Sequence, residues 1–451
     1  MTRGQYDAVI VGGGFTGLAA AHILAKRGRK VRVLEATDTP GGLAGTFEFS
    51  DGVRLEKFYH HWFNNDVYVP ELVRELGHCR DIVTMPSSIG MYYNGKLWRL
   101  SSPLDLLRFT ALPLIDRLRL GILVFQVRRV KDWKTIEHMS IREWLEPIVG
   151  ENVYRVVWEP LIAAKFSIYA DIISAVWFWK KLVLRGGSRG KGGREELAYF
   201  TGGFGRLAEL MVGAIRSHGG EVGFDQPVTG LRVQGSEVWA VKTPFGDVAG
   251  EQFLFTPAFP IIADIFSGSA DPAWIARLRR VRYLGNMCLV LRLSRSLSDT
   301  YWLNVNDPGF PFVAVIEHTN FDSPVHYKGS HIVFLSRYLA VEDPVWNYSG
   351  EEYLNFAVEH LQRMFPEMER SWVLDYRVWR AEYAQPVTER DFSDYLPGYE
   401  TPYVNAFIST MAQIYPEDRG TNYAIREGRS AAERMLATSK ALDKQRADLP
   451  T

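Results

Sequence analysis

Residues 6–46 read YDAVIVGGGFTGLAAAHILAKRGRKVRVLEATDTPGGLAGT, and their order decides the fold. Asp7 to Val11 is a short apolar run suited to a buried parallel strand. Gly12, Gly14 and Gly17 then give the spacing G-x-G-x-x-G before Leu18 to Lys26 turns helical. The first glycine permits a tight turn, the second lets backbone approach a pyrophosphate, and the third allows close helix-to-strand packing. The phosphate charge sits on the helix N-terminus. Gly28 ends that helix, and a second strand from Lys30 to Leu34 delivers Glu35 where an acid hydrogen-bonds an adenosine ribose. A plain βαβ turn is the alternative, but strand, glycines, helix, strand and acid all occur in order.

The unit alone leaves NAD and FAD open. A second glycine turn follows at once, Thr39-Pro40-Gly41-Gly42-Leu43-Ala44-Gly45-Thr46. It resembles the G-G-x-x-x-T stretch of the flavoprotein superfamily that contains protoporphyrinogen oxidase, monoamine oxidase, phytoene desaturase and UDP-galactopyranose mutase. That resemblance implies FAD, with the stretch running beside the pyrophosphate toward the isoalloxazine.

The chain has 451 residues, 47% hydrophobic and 23% charged, enough for more than one domain. Lysine plus arginine equals aspartate plus glutamate at 52 each, so no global field favours nucleic acid. Cys79 and Cys288 are the only cysteines, which implies neither a disulfide framework nor a zinc site. A reducing cytoplasmic setting, possible membrane association and no secretion are the expectations, since the N-terminus passes directly into the first strand and no charge-free apolar run is long enough to span a bilayer.

Further along, residues 47–56 read as a hairpin about Asp51-Gly52 and lead into Lys57-Phe58-Tyr59-His60-His61-Trp62-Phe63-Asn64. This stretch resembles the H-x-F-H-T region of the mutase, with Asn64 in place of the second histidine. The likeness implies a flavin-proximal His61 beside Phe63; a polar loop is the alternative. Another hairpin is read about Asn94-Gly95. Residues 101–130 then combine many leucines with Arg108, Arg117, Arg119, Arg128 and Arg129, a pair of apolar helices with a basic edge. An internal helical cap is expected, with a membrane interface as the alternative. Helix continues from Thr135 to Leu182, and the basic glycine-rich loop 185–194 reads as a linker or as a flap over an anionic group.

Tyr199 to Leu207 is similar to the family's G-G-x-x-x-L helix, and implies that the strand from Val228 meets the adenine end. Gly202 to Gly205 lacks both the spacing and the preceding strand of a second dinucleotide motif, so no NAD(P)H domain is expected. Thr256 ends a strand similar to one that passes the pyrophosphate. In the C-terminal segment Met411-Ala412 stands where the family carries an acid, and Asp418-Arg419-Gly420-Thr421-Asn422 precedes a helix starting at Tyr423 whose dipole would favour negative charge on a reduced flavin. An ordinary capped helix is the alternative.

The expected fold is α/β: a discontinuous Rossmann-like FAD-binding domain (1–95, 195–280 and 396–451) with a helical cap (96–194) and an inserted α+β substrate sheet (281–395). The resemblance implies FAD contacts from Gly12, Gly14, Phe15, Thr16, Gly17, Glu35, Ala36, Gly41, Gly42, Leu43, Ala44, His61, Val228, Thr256, Met411, Arg419, Thr421, Asn422 and Tyr423. It puts His61, Tyr415 and Tyr423 forward as catalytic, with Phe63 and Asp418 beside them; from the residues themselves no metal is expected. The expected activity is FAD-dependent oxidation of a small organic substrate, the flavin being reoxidised by oxygen or another acceptor. Other readings are a reduced-flavin mutase acting on a nucleotide sugar, a binding subunit, and a flavoenzyme acting on a lipid-linked substrate at a membrane surface through residues 101–130.

Overall fold

A computed structural model describes residues 5–188 and 195–447. Most of the basic loop 185–194, from 189 onward, lies outside the described residues. The opening stretch folds as β1 (Tyr6–Val11), α1 (Phe15–Lys26) and β2 (Val31–Leu34). β1 is parallel to β2 on one side and to Gly246–Phe255 on the other, the latter pairing Val11 with Phe255. Glu221–Gly223 and Ala406–Ile408 extend the parallel part, and Glu237–Thr243 and Gly230–Gln234 add an antiparallel edge. One sheet is thus drawn from the beginning, middle and end of the chain. The C-terminal helix Thr421–Ala447 closes over α1, where a Cβ on Gly428 would lie 2.3 Å from the Thr16 carbonyl oxygen. Only a glycine lets the two helices approach that closely.

The second sheet has the order Val373–Pro386, Tyr283–Leu293, His331–Leu339, Ala314–Glu317, Trp302–Val305, Ile89–Tyr93, Lys96–Arg99. Period-two alternation divides its residues. Met287, Leu289 and Leu291 pack under the helix Gly350–Met364, while Cys288 and Val290 join the core shared with α1. The hairpin about Asn94-Gly95 belongs to this sheet, because Ile89–Tyr93 pairs in parallel with Trp302–Val305. The boundary expected after residue 95 therefore falls within a hairpin. Strand Trp302–Val305 itself was too short and too polar at Asn304 to be read from periodicity.

A strand does precede Gly202. Glu196–Phe200 lies between Trp62–Phe63 and Ile82–Pro86 in an antiparallel three-stranded sheet. Its pairing is not the parallel pairing of a dinucleotide unit, so it builds no second nucleotide site.

Helices of the cap fill residues 103–187. They bury their own core of Leu112, Leu123, Val127, Trp144, Leu145, Trp177, Phe178 and Trp179. Ser140 and Glu143 form a reciprocal capping box at the start of Ile141–Val149. Helix Leu114–Arg129 is apolar on two sides. Leu123 and Val127 turn inward, and Leu114, Ile115, Leu118, Ile122 and Phe125 face solvent, Phe125 at 66% exposure.

Candidate active site

Two glycine turns meet at the N-terminus of α1. Gly14 and Gly41 form a parallel bridge, and the Gly41 N–H donates to the Gly13 carbonyl at 2.9 Å. A Cβ on Gly42 would lie 3.3 Å from the Gly14 Cα, and one on Gly17 would lie 2.0 Å from the Gly12 carbonyl oxygen. No side chain caps α1 at Gly14. Uncapped N–H groups facing a cradle without side chains are the donor set a pyrophosphate takes. By that test the residues fit the nucleotide the sequence implies. Thr256 Oγ1 donates to the Val11 carbonyl at 2.9 Å, tying the C-terminal ends of the two parallel strands together.

Glu35 is buried behind this cradle. One carboxylate oxygen accepts from the Gly13 N–H at 2.6 Å, and the other accepts from the Thr37 N–H and hydroxyl. The acid thus clamps the glycine turn while keeping further lone pairs for a ribose hydroxyl. Ala36 follows it on the surface, and Val228 packs against the core beneath the sheet. Phe15 and Thr16 are buried in the first turn of α1, while Leu43 and Ala44 lie in the short turn after Gly42.

The stretch after the second hairpin enters the interior. Burial pushes His60 down to about 4 and His61 down to about 3, so both rings are neutral. His60 Nδ1 donates to the Phe58 carbonyl at 2.6 Å, which fixes its tautomer. His61 Nδ1 lies 3.0 Å from the Tyr301 hydroxyl, and its ring packs edge-on against Phe63 and Trp302.

The C-terminal loop brings a charged group beside them. Asp418 accepts from Trp177 Nε1 at 2.9 Å and pairs with Lys181 at 2.7 Å. Burial alone would raise its carboxyl, but Lys181, Lys165 and Arg419 outweigh burial and hold it well below the usual carboxylate range. Arg419 donates to Gln385 Oε1 and to the Tyr338 hydroxyl, each at 3.0 Å. Lys165 Nζ sits 3.8 Å from the centre of the Tyr338 ring. Burial lowers Lys165 to about 8; Tyr338 is raised by burial but brought to about 8 by Lys165 and Arg419, with Tyr59 at its side.

Tyr59, His60, His61, Lys165 and Asp418 keep some accessible surface although they lie deep in the protein, as groups lining an internal chamber do, whereas Tyr338 and Gln385 are buried. They come from the loop 57–63, cap helices Glu159–Phe166 and Ala175–Gly187, two strands of the second sheet, and the C-terminal loop. Lys165, Tyr338, Tyr59 and Gln385 were not among the residues read from the sequence. A lone lysine in the apolar run Pro160 to Phe166 was the available signal.

Other expected residues lie elsewhere or are otherwise engaged. Tyr415 packs between Trp133 and Phe392 inside the cap, with its hydroxyl beside Glu137. Tyr423 stacks over Arg426 and is pushed up to about 12, first by burial. Thr421 accepts from Trp62 Nε1 at 3.0 Å, and the Asn422 side chain accepts from the Tyr68 and Val69 N–H groups, capping the helix Tyr68–Glu75. Met411 opens a short turn held by a reciprocal Thr410–Gln413 cap. Among the described residues no acidic and histidine or cysteine cluster suits a metal.

The sequence model of flavin containing amine oxidoreductases matches residues 15–436. Coproporphyrinogen III oxidase of Propionibacterium freudenreichii is 26% identical over 183 residues, 37% of this chain and 33% of that protein. The flavin-containing amine oxidase B of Canis lupus familiaris is 25% identical over 249 residues, 52% and 47% of the two chains. The chain thus spans half or less of the length of these relatives. The solved structure of a reduced UDP-galactopyranose mutase superposes with a TM-score of 0.75 at 15% identity, covering 96% of each chain.

Proposed function

The chain belongs to the flavin containing amine oxidoreductase family, and from that premise we propose that it is an FAD-dependent oxidase or dehydrogenase of a small organic substrate. Its cofactor is FAD. The observation that carries the reading is the convergence of Tyr59 and His60, soon after the second glycine turn, on Tyr338 and Arg419, with Lys165 over the Tyr338 ring. FAD is held in this proposal by the turns at Gly12 to Gly17 and Gly41 to Ala44, by Glu35 and Thr256, and by backbone N–H groups at the start of the C-terminal helix. FAD held there would supply a two-electron acceptor for the substrate, to be reoxidised by oxygen or another acceptor. The chain's own part is to exclude water and orient the substrate. His61, neutral and fixed by Tyr301, lines the chamber as an uncharged hydrogen-bonding group rather than as a cation. Purified protein screened anaerobically with candidate substrates tests this: bleaching by substrate alone is the expected outcome. Turnover only after dithionite, with no net redox change, would replace it with the mutase reading, which the cations of the chamber support.

Contact with a membrane surface is the finer part of the proposal. Among the described residues no helix is long and apolar enough to cross a bilayer. The solvent-facing stripe from Leu114 to Phe125 suits an interfacial position; Asp116 is buried and Asp105 half-buried, Arg117 bonds to backbone carbonyls and Arg119 pairs with Asp116, and Arg108, Arg128 and Arg129 are left exposed. Flotation with anionic liposomes is the measurement; absence of enrichment removes this contact. A cytoplasmic location accords with the two unpaired cysteines.

A further inference from the structure

The chamber holds more positive than negative charge. Lys165, Lys181 and Arg419 converge on it, and Asp418 is the carboxylate they share. Asp418 is committed to Lys181 and to Trp177. Glu417, next in the chain, is committed to Lys180 and Arg426. Among the described residues neither Lys165 nor Arg419 has a carboxylate within ion-pair distance. Their partners are the Tyr338 ring, the Tyr338 hydroxyl and the Gln385 amide oxygen.

Three cations drawn partly out of water around one shared carboxylate leave a surplus of positive charge, which is expensive unless a ligand completes it. We propose that the substrate of this site carries an oxyanion, a carboxylate or a phosphate, which Lys165, over the Tyr338 ring, and Arg419, at the Tyr338 hydroxyl, bind together. The inference rests on the flavoenzyme reading and adds the charge of its substrate. Arg419 presents a planar fork that Tyr338 and Gln385 hold in one orientation, suited to two oxygens of one group. Lys165 adds a point charge from the cap, so cap and C-terminal loop would close on the same anion. Near pH 7 Lys165 is charged and Tyr338 is a neutral phenol, given that each is brought to about 8. The pyrophosphate of FAD does not answer this need, since its donors lie in the glycine turns of the first sheet, whereas Lys165 and Tyr338 belong to the cap and the second sheet.

Calorimetric titration of the protein as purified decides the matter, with flavin content read spectrally in the same sample. Benzoate, UDP and benzylamine serve as probes of the carboxylate, phosphate and ammonium classes. The expected result is that benzoate or UDP binds at least tenfold more tightly than benzylamine. Lys165→Met and Arg419→Gln each lose at least tenfold of that affinity, Lys165→Met with FAD content unchanged, and Arg419→Lys recovers part of it. Benzoate alone marks a carboxylate substrate, and UDP alone marks a phosphate. Equal or tighter binding of benzylamine overturns the proposal, as does loss of FAD with unaltered anion binding in the variants. Should a variant fail to fold, the preference of the unaltered protein still decides. A colourless sample refutes the flavoenzyme reading, while the anion preference is measured independently of colour.

Discussion

The glycine turns and the charged chamber are the two regions on which the proposed function rests, yet they are built in opposite ways. The turns consist of backbone from two stretches close in sequence, Gly12 to Gly17 and Gly41 to Gly45, and their use depends on side chains being absent. The chamber consists of side chains from six separate segments, and its use depends on charges being present. A backbone cradle fails when an atom is added. A convergent site fails when an atom is removed, and only in proportion to what that atom did.

Substitutions test this contrast, beginning with the turns. Gly17→Ala puts a Cβ 2.0 Å from the Gly12 carbonyl oxygen, so a loss of at least about 3 kcal/mol is expected, read as failure to accumulate folded protein or as a lowered denaturation midpoint. Gly14→Ala sharpens the point. Its nearest neighbour would be the Gly42 Cα at 4.0 Å, so the chain should fold normally yet purify with little FAD. Stoichiometric yellow colour in that variant would remove the cradle from the cofactor site.

In the chamber, His61→Ala should keep FAD and slow substrate-driven flavin reduction about a hundredfold, the low end for a positioned polar group. Unchanged single-turnover kinetics would take His61 out of the site. Because burial pushes His61 down to about 3, the rate should show no histidine limb near pH 6.5. A decline is expected as pH rises through about 8, where Lys165 loses its proton among Tyr338, Arg419, Lys181 and Asp418. A profile flat to pH 9 contradicts that assignment.

Asp418→Asn should cost about 2 kcal/mol, less than a fully buried pair because Lys181 is partly exposed. The folded carboxyl sits below its unfolded value of about 3.9, so its contribution is present above about pH 4 and lost as pH falls further. Melting curves of variant and parent should therefore converge in acid; a constant gap down to pH 2 would argue against the ion pair.

The outer cap gives the smallest effect on the fold. Leu118→Glu with Phe125→Glu replaces exposed side chains and should change stability by no more than about 0.5 kcal/mol, while abolishing flotation with anionic liposomes. Retained flotation would place the membrane contact elsewhere.

The two regions were unequally legible. Gly12, Gly14, Gly17 and Glu35 announce themselves because a tight turn, a close backbone approach and an acid at the end of a strand are local demands with fixed spacing. The aspartate-glycine and asparagine-glycine turns were legible for the same reason. Tyr338 and Lys165 were not, because 173 positions separate them in the chain and each looks locally like an ordinary amphipathic residue. The Tyr415 and Asn422 side chains show the converse: position near a motif says little about where a side chain points. Tyr415 turns into the cap aromatics and Asn422 into a helix end, and those partners lie far away in sequence.

By itself the sequence determined the nucleotide-binding unit, the glycine pair Gly202-Gly203 that opens a helix, the C-terminal helix, and a balanced charge that gives no global field favouring nucleic acid. These follow from local backbone demands and composition. Which hairpin joined which sheet, which helix face was left to solvent, and which cations ended without a carboxylate were decided only by tertiary structure. Strand pairing and side-chain convergence are properties of segments brought together, and no spacing along the chain encodes the distance between Lys165, Tyr338 and Arg419.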